Sequence, residues 1–188
     1  MPQLPEEIWK DRVENELKAI KKLDILEENT LIRANNSVEF TIQLNEIGVV
    51  KKNGDFVQKK SHRIFLKINR SFPYPGGIDF SWLTNIFHPN IHPVGISLTN
   101  QGTGYICLNV LKKWSRLSDL ETTVKALGLL VKNPNPDDPL NYPICLEAAE
   151  FFRKRTMEDF LKELDLKEVV VEDEREEEDD DEIIIIDD

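Results

Sequence analysis

Apolar residues recur at helical spacing near the start of the chain and at alternate positions further on. Residues 5–23 predict an amphipathic helix with one apolar side: Ile8, Val13, Leu17 and Ile20. Between residues 30 and 70 the period changes to two, with apolar positions at Val38, Phe40, Ile42 and Leu44 and again at Ile64, Leu66 and Ile68. Asn53-Gly54 favours a hairpin turn, because both residues tolerate positive φ. Together these patterns predict an antiparallel meander after a helix.

A long segment without regular periodicity separates the strands from the later helices. Residues 78–84 predict one more short strand, but 71–117 as a whole is rich in Pro, Gly, Asn and Ser and predicts mostly irregular structure. A loop of this length is usually functional. We therefore expect functional residues within it.

Helical patterns dominate from residue 118 onward. Ser118, followed three residues later by Glu121, matches a capping box and predicts the start of a helix. The predicted core stripe of that helix comprises Leu120, Val124, Leu127 and Val131. Prolines end it, and 144–155 and 157–167 predict two more helices. The order of elements indicates an α+β fold in which helices flank a sheet.

The acidity of the chain is concentrated at its C-terminal end. The 188 residues fit one domain plus a tail. The formal net charge is −11, but residues 165–188 hold 14 acids and two bases, so this segment is −12 and the remainder is +1. We therefore predict a domain over 1–167 and an acidic, disordered tail over 168–188 that cannot bury enough surface to fold alone.

Charge and composition also bear on partners and location. An acidic tail repels phosphate, which argues against nucleic acid as a partner and favours basic protein surfaces. The sequence has no apolar run near the roughly 18 residues that cross a bilayer, so no membrane association is expected. The N-terminus lacks the features of a secretory signal, and two cysteines do not form a disulfide framework. A cytoplasmic location with reduced thiols is the expectation.

Cys107 is the candidate nucleophile. It ends a glycine-studded segment, so its thiol is expected to be accessible, whereas a buried cysteine would be inert. A cysteine hydrolase would need a base beside the thiol, but His62 opens a predicted strand and is expected at the surface, and His88 is held between an aromatic residue and a proline. A metal site on His88, His92 and Cys107 lacks an obvious fourth ligand.

Four motifs resemble the ubiquitin-conjugating enzyme family over roughly residues 6–165. In chain order they are Phe87-His88-Pro89-Asn90-Ile91, Ile106-Cys107-Leu108-Asn109-Val110-Leu111, Trp114-Ser115, and Pro134-Asn135-Pro136-Asp137-Asp138-Pro139-Leu140. The resemblance implies that family's fold: an N-terminal helix, a four-stranded antiparallel meander, a long active-site loop and C-terminal helices.

The resemblance also implies roles for individual residues. Cys107 would carry the C-terminus of ubiquitin or a ubiquitin-like modifier as a thioester. Asn90 would donate a hydrogen bond to the oxyanion, and bracing of the loop is an alternative that can coexist with that role. Asp138 would orient or help deprotonate the incoming lysine, or else it is an acid at a helix N-terminus. His88 would brace the loop, and the chemistry requires no metal or cofactor.

The implied partners are a modifier, an activating enzyme and a ligase of the RING type. The activating enzyme would dock on the helix over 5–23. Four lysines of this helix lie outside the apolar stripe: Lys10, Lys18, Lys21 and Lys22. They form either this docking surface or simply a solvated face. The main alternative function is a non-catalytic binding module of the same fold. In that case an insertion over 93–103, where the chain is longer than is usual in the family, would cover the thiol.

The tail contains two apolar patches between its acids. Val169-Val170-Val171 and Ile183-Ile184-Ile185-Ile186 resemble SUMO-interacting motifs, which bind by strand addition. Docking on a basic groove of a ligase and a purely solubilising role are the alternatives. We favour a binding role, because four exposed isoleucines raise the risk of aggregation.

Overall fold

The computed structural model describes residues 2–97, 100–107 and 119–165. The elements, in order, are α1 (Glu6–Lys22), β1 (Leu26–Ala34), β2 (Ser37–Leu44), β3 (Gly48–Lys52), β4 (Asp55–Lys59), β5 (His62–Asn69), β6 (Ile78–Trp82), β7 (Ile91–His92), β8 (Tyr105–Ile106), α2 (Leu120–Lys132) and α3 (Pro143–Phe152). Residues 157–165 are also helical. The predicted tail, its boundary near 167 and the Trp114-Ser115 motif lie outside the described residues.

The predicted meander is confirmed as a four-stranded antiparallel sheet in the order β1-β2-β5-β6. Phe40 pairs with Leu66 and Ile42 with Ile64, so the alternating apolar positions face the same side and are buried. Helices α1 and α2 cover this face and complete the main core. The α+β class follows directly from this layering.

Helix α1 buries a slightly different stripe from the one predicted. Ile8 is 53% exposed, and Trp9 is buried in its place with Val13 and Leu17. The indole Nε1 of Trp9 donates a hydrogen bond to the carbonyl of Asn69 at 3.0 Å. This bond fixes α1 against the end of β5, because a buried indole N–H needs an acceptor.

Helix α2 begins with a different cap from the one predicted. Its N-cap is Asp119, whose carboxylate accepts from the backbone N–H of Thr122 at 2.6 Å, while Ser118 lies outside the described residues. The carboxylate of Glu16 in α1 also accepts from the N–H of Leu120 at 2.8 Å. Both bonds satisfy amides that lack a partner within the helix, and the second joins the two helices.

A second apolar cluster forms under the hairpin β3–β4. Asn53 and Gly54 have φ values of 52° and 96°, so the predicted turn is confirmed. Phe56 on β4 packs against Phe87, with ring centroids 5.2 Å apart, and against Phe160 at 5.1 Å. Since Phe87 directly precedes His88, this cluster anchors the start of the motif that contains Asn90.

The prediction that His62 lies at the surface is wrong. Its ring is fully buried, 5.1 Å from that of Trp82, and neither ring nitrogen has a hydrogen-bond partner among the described residues. Burial lowers the pKa of His62 to about 4, and the charge of Lys59 adds to the effect. His62 is inside because it shares the alternation of Ile64 and faces the core.

Candidate active site

Cys107 is placed beside Asn90 by the short strand pair β7–β8. Ile91 pairs with Ile106, and the backbone N–H of Cys107 donates to the carbonyl of Asn90 at 2.8 Å. The thiol is free and its residue is partly exposed. The other cysteine, Cys145, is buried, and burial raises the pKa of its thiol to about 12. Of the two, only Cys107 has the access that a nucleophile needs.

The side chain of Asn90 braces two neighbouring loops. Its Nδ2 donates to the carbonyls of Asn135 and Asp138 at 3.0 and 2.9 Å, and its Oδ1 accepts from the N–H of Asn135 at 2.8 Å. The residue is 2% exposed. Both amide hydrogens therefore have acceptors, so the bracing role is confirmed, and the role toward an oxyanion stays a prediction.

His88 is a neutral brace within the same motif. Its Nδ1 accepts from the N–H of Asn90 at 3.1 Å, which leaves Nε2 to donate to the carbonyl of Leu130 at 3.0 Å. Burial lowers its pKa to about 3. The ring thus ties the motif to α2 without carrying charge near neutral pH, as the predicted bracing role requires.

Asp138 lies on an irregular segment rather than at the start of a helix. Helix α3 begins five residues later at Pro143, with Tyr142 as its N-cap and no acid in its first turn. The alternative that Asp138 is a helix N-terminal acid is therefore wrong. The residue is exposed, and its segment is fixed by the bonds to Asn90 and by the N–H of Leu140, which donates to the carbonyl of Pro89 at 2.9 Å.

One cavity of about 280 Å³ brings together the three predicted site residues. It is lined by Cys107, Asn90, Asp138 and five others: Ala126, Leu129, Leu130, Asn133 and Asn135. The wall from α2 is apolar, and Leu129 is 61% exposed although it is a large apolar residue. Sequence reasoning missed this wall, because Leu129 lies off the core stripe of α2 and resembles an ordinary surface position.

The described part of the insertion over 93–103 packs beside the sheet instead of over this cavity. The N–H groups of Val94 and Gly95 donate to the carbonyls of Trp82 and Leu83 at 2.8 and 2.9 Å. His92, at its base, stacks on Tyr142 with ring centroids 3.7 Å apart. None of the insertion's described residues lines the cavity of Cys107.

The described ranges contain no metal-binding cluster and no helix that could span a membrane. Within 2–97, 100–107 and 119–165, no three His, Cys, Asp or Glu side chains are grouped so that they could hold a metal ion. In the same part of the chain, no helix has the length and apolar composition that crossing a bilayer requires.

Comparisons with known proteins identify the family. The sequence matches the family model described as ubiquitin-conjugating enzyme over residues 12–165, so the chain belongs to that family. It is 43% identical over 61 residues to the protein PEROXIN-4 of Arabidopsis thaliana and 42% identical over 60 residues to ubiquitin-conjugating enzyme E2 N of Drosophila melanogaster. These stretches cover 32% and 31% of this chain and 34% of each relative, so the chain matches about a third of the length of its curated relatives.

A solved structure supports the fold. The ubiquitin-conjugating enzyme E2 domain from Toxoplasma gondii superposes with a TM-score of 0.54, covering 77% of this chain and 86% of that chain at 22% identity. The similarity at this identity is one of fold. It agrees with the N-terminal helix, the four-stranded sheet and the C-terminal helices described above.

Proposed function

We propose that this protein is a conjugating enzyme that forms a thioester. Cys107 accepts ubiquitin or a ubiquitin-like modifier from an activating enzyme and passes it to a lysine amine, alone or with a RING-type ligase. The observation that carries this proposal is the cavity in which a partly exposed thiol lies with Asn90 and Asp138. Family membership supports it.

The proposed reaction is two successive acyl transfers. In the first, the sulfur of Cys107 bonds to the carbonyl carbon of the modifier's C-terminus and the thiol of the activating enzyme leaves. In the second, a lysine nitrogen attacks the same carbon, the C–S bond breaks, the thiolate of Cys107 leaves and the amine loses a proton. Neither step changes an oxidation state, so the chemistry itself needs no redox cofactor.

The cavity suits the second transfer in two ways. Lysine has an ordinary pKa near 10.4, and a nearby carboxylate alone would raise it, so the amine must also be partly desolvated. The apolar wall formed by Ala126, Leu129 and Leu130 can provide that desolvation. Asp138, at the exposed edge, is the proposed group that orients the amine and accepts its proton.

Asn90 is proposed to stabilise the oxyanion in addition to its bracing role. Since both of its Nδ2 hydrogens have carbonyl acceptors, one hydrogen must exchange its acceptor for the oxyanion during the reaction. The proposed role therefore includes a small local movement of the segment 135–138. Removal of one oxyanion donor typically slows a reaction by about 10²–10³.

The outer face of α1 is proposed to bind the activating enzyme. Two of its lysines have ion-pair partners, Lys10 with Glu6 at 2.7 Å and Lys21 with Glu28 at 2.9 Å. Lys18 and Lys22 are exposed and make no ion pair with another described residue. These two lysines are the ones we propose to meet an acidic partner surface.

Thioester formation tests the proposed function. The purified protein is incubated with ATP, ubiquitin or another modifier, and the matching activating enzyme, and the products are compared on reducing and non-reducing gels. We expect an adduct that a thiol reductant removes. It should be absent from Cys107→Ser and present in the matched control Cys145→Ala.

The alternative is a non-catalytic binding module. The described residues of the insertion leave the cavity of Cys107 uncovered, which does not favour it. Failure of every modifier tested to form the adduct, with a folded protein and an active activating enzyme, would support the module instead.

A further inference from the structure

A lysine-rich surface lies on the hairpin β3–β4 and the residue that follows it. Residues 51–60 contain four lysines and one acid, Asp55. Lys51 forms an ion pair with Glu147 of α3. Lys52, Lys59 and Lys60 make no ion pair with another described residue, and Lys52 and Lys60 are exposed. This surface, which we name the hairpin surface, is defined by Lys52, Lys59 and Lys60.

A cavity of about 620 Å³ adjoins the tip of this hairpin. It is lined on one side by Lys51, Lys52 and Asn53, and on the other by Asn85, Gly95, Ile96 and Ser97. No carboxylate is among these lining residues. The cavity therefore combines positive charge and amide groups with one apolar side chain, which suits an acidic segment that contains apolar residues.

The chain leaves its described part next to the same hairpin. Gln58 on β4 donates from Nε2 to the carboxylate of Asp165 at 2.5 Å, and Phe56 contacts Phe160 in the same helical segment. Residues 166–188 begin at this point and hold 13 acids and two bases, a net charge of −11. Twenty-three residues can extend over roughly 75 Å, whereas a five-residue strand is only about 17 Å long.

We infer that the acidic segment 168–188 binds in cis to the hairpin surface and its adjoining cavity. Its carboxylates face Lys52, Lys59 and Lys60, and its Val or Ile patches contact Ile96 and the 37% exposed Val57. Exposed ion pairs are individually weak. The tether, however, gives the segment an effective concentration in the millimolar range, and many carboxylates can exchange over the same lysines.

Partners of the tail would compete with this intramolecular contact. A modifier or ligase that binds 168–188 must first displace this segment from the hairpin surface. Its apparent affinity is therefore the intrinsic affinity multiplied by the fraction of molecules in which the tail is free. Binding of the tail in cis does not involve the thioester chemistry of Cys107, so either can be absent without affecting the other.

Paramagnetic broadening in the full-length chain tests the inference. A nitroxide label is attached to Asp180→Cys in a Cys107→Ser background, where Cys145 is buried with a raised pKa and does not react. We expect amide signals of Asn53 and Ile96 to broaden at low salt. The broadening should disappear at 1 M salt, where the screening length is about 3 Å.

Two charge-matched variants separate the proposed surface from a general electrostatic effect. The double variant Lys52→Glu/Lys60→Glu should abolish the broadening, while Lys18→Glu/Lys22→Glu on α1, with the same change in charge, should retain it. Broadening that is absent in the parent, lies elsewhere, or survives in the first variant overturns the inference. A second control mixes protein that carries the nitroxide with isotope-enriched protein that lacks it. Broadening of the signals of the isotope-enriched protein makes a second copy the binding partner and overturns the cis assignment.

Discussion

Replacing Asn90 with alanine separates its two roles. The variant removes three hydrogen bonds, to both backbone groups of Asn135 and to the carbonyl of Asp138. A net intramolecular hydrogen bond contributes about 0.5–1.5 kcal/mol. Since Asn135 and Asp138 are exposed and water can replace the lost partner, we expect the free energy of unfolding to fall by about 1–3 kcal/mol.

That loss of stability cannot account for a large loss of activity. A domain of this size has a free energy of unfolding of roughly 5–15 kcal/mol, so more than about 90% of the variant stays folded even at the low end. If Asn90 also donates to the oxyanion, discharge of the Cys107 thioester to an amine should slow by about 10²–10³. The folded fraction and the chemical rate can therefore be measured separately.

The assay combines urea unfolding with single-turnover discharge. The thioester is formed and the activating enzyme is inhibited. The loss of adduct is then followed after addition of Nα-acetyl-lysine, whose side-chain amine is free. The matched control is Asn133→Ala, an amide that lines the same cavity and makes no bond to segment 135–138 among the described residues. A rate within about threefold of the parent would refute the oxyanion role, and an unchanged unfolding midpoint would show that the three hydrogen bonds of Asn90 add nothing to the stability of the fold.

Three further predictions concern other residues. His62 and His88 have pKa values lowered to about 4 and about 3, so the stability that their neutral rings contribute is fully present above the unfolded value near 6.5 and is lost as the pH falls towards 4. By pH 4.5 the titration of each ring should have lowered the free energy of unfolding by about 2.5 kcal/mol, and an equal urea midpoint at pH 7 and 4.5 would contradict this. Asp138→Ala should slow discharge to N-acetyl-lysine by about 10² while thioester formation stays normal, and equal slowing of both steps would exclude the role in positioning the amine. Lys18→Glu/Lys22→Glu should slow thioester formation but not discharge, and the hairpin double variant with the same charge change serves as its control.

Periodicity predicted the sheet correctly because strand alternation depends on one face being buried, and that condition holds along β2 and β5. The same alternation places His62 inside, although its position at the start of a predicted strand favoured the surface. Ile8 and Trp9 are neighbours in a helix, and an apolar stripe about 100° wide does not show which of the two is buried. That choice depends on the position of Asn69, whose carbonyl accepts a hydrogen bond from the indole of Trp9.

The candidate site was predictable in its members but not in its connections. The motif positions identified Cys107, Asn90 and Asp138, and one cavity contains them. The bonds of Asn90 span 45 and 48 residues in sequence, and the cap supplied by Glu16 spans 104. Such contacts depend on how the elements pack, and no local pattern encodes them.

Most hydrogen bonds that join the described loops beside Cys107 come from uncharged groups, and this leads to a prediction about pH. Asn90 is an amide, His88 is neutral because its pKa is about 3, and backbone groups form the bonds from Cys107 to Asn90 and from Leu140 to Pro89. Arg153 also donates to the carbonyl of Pro136 at 3.4 Å. Near neutral pH the geometry of the site should therefore be constant. Discharge to N-acetyl-lysine should follow the fraction of unprotonated amine, rising about tenfold per pH unit between 6 and 8.5, since the ordinary pKa of lysine is near 10.4.

The measurement is the single-turnover discharge rate across this range, corrected by a parallel reaction without amine that reports hydrolysis. His92 is the ionisable ring nearest to this network in the sequence, and burial lowers its pKa below the ordinary value. An inflection between pH 6 and 7.5 would mean that a group with an ordinary histidine pKa controls the rate. The rate would then depend on a base that titrates in this range, and the hypothesis that the geometry of the site is constant near neutral pH would fail.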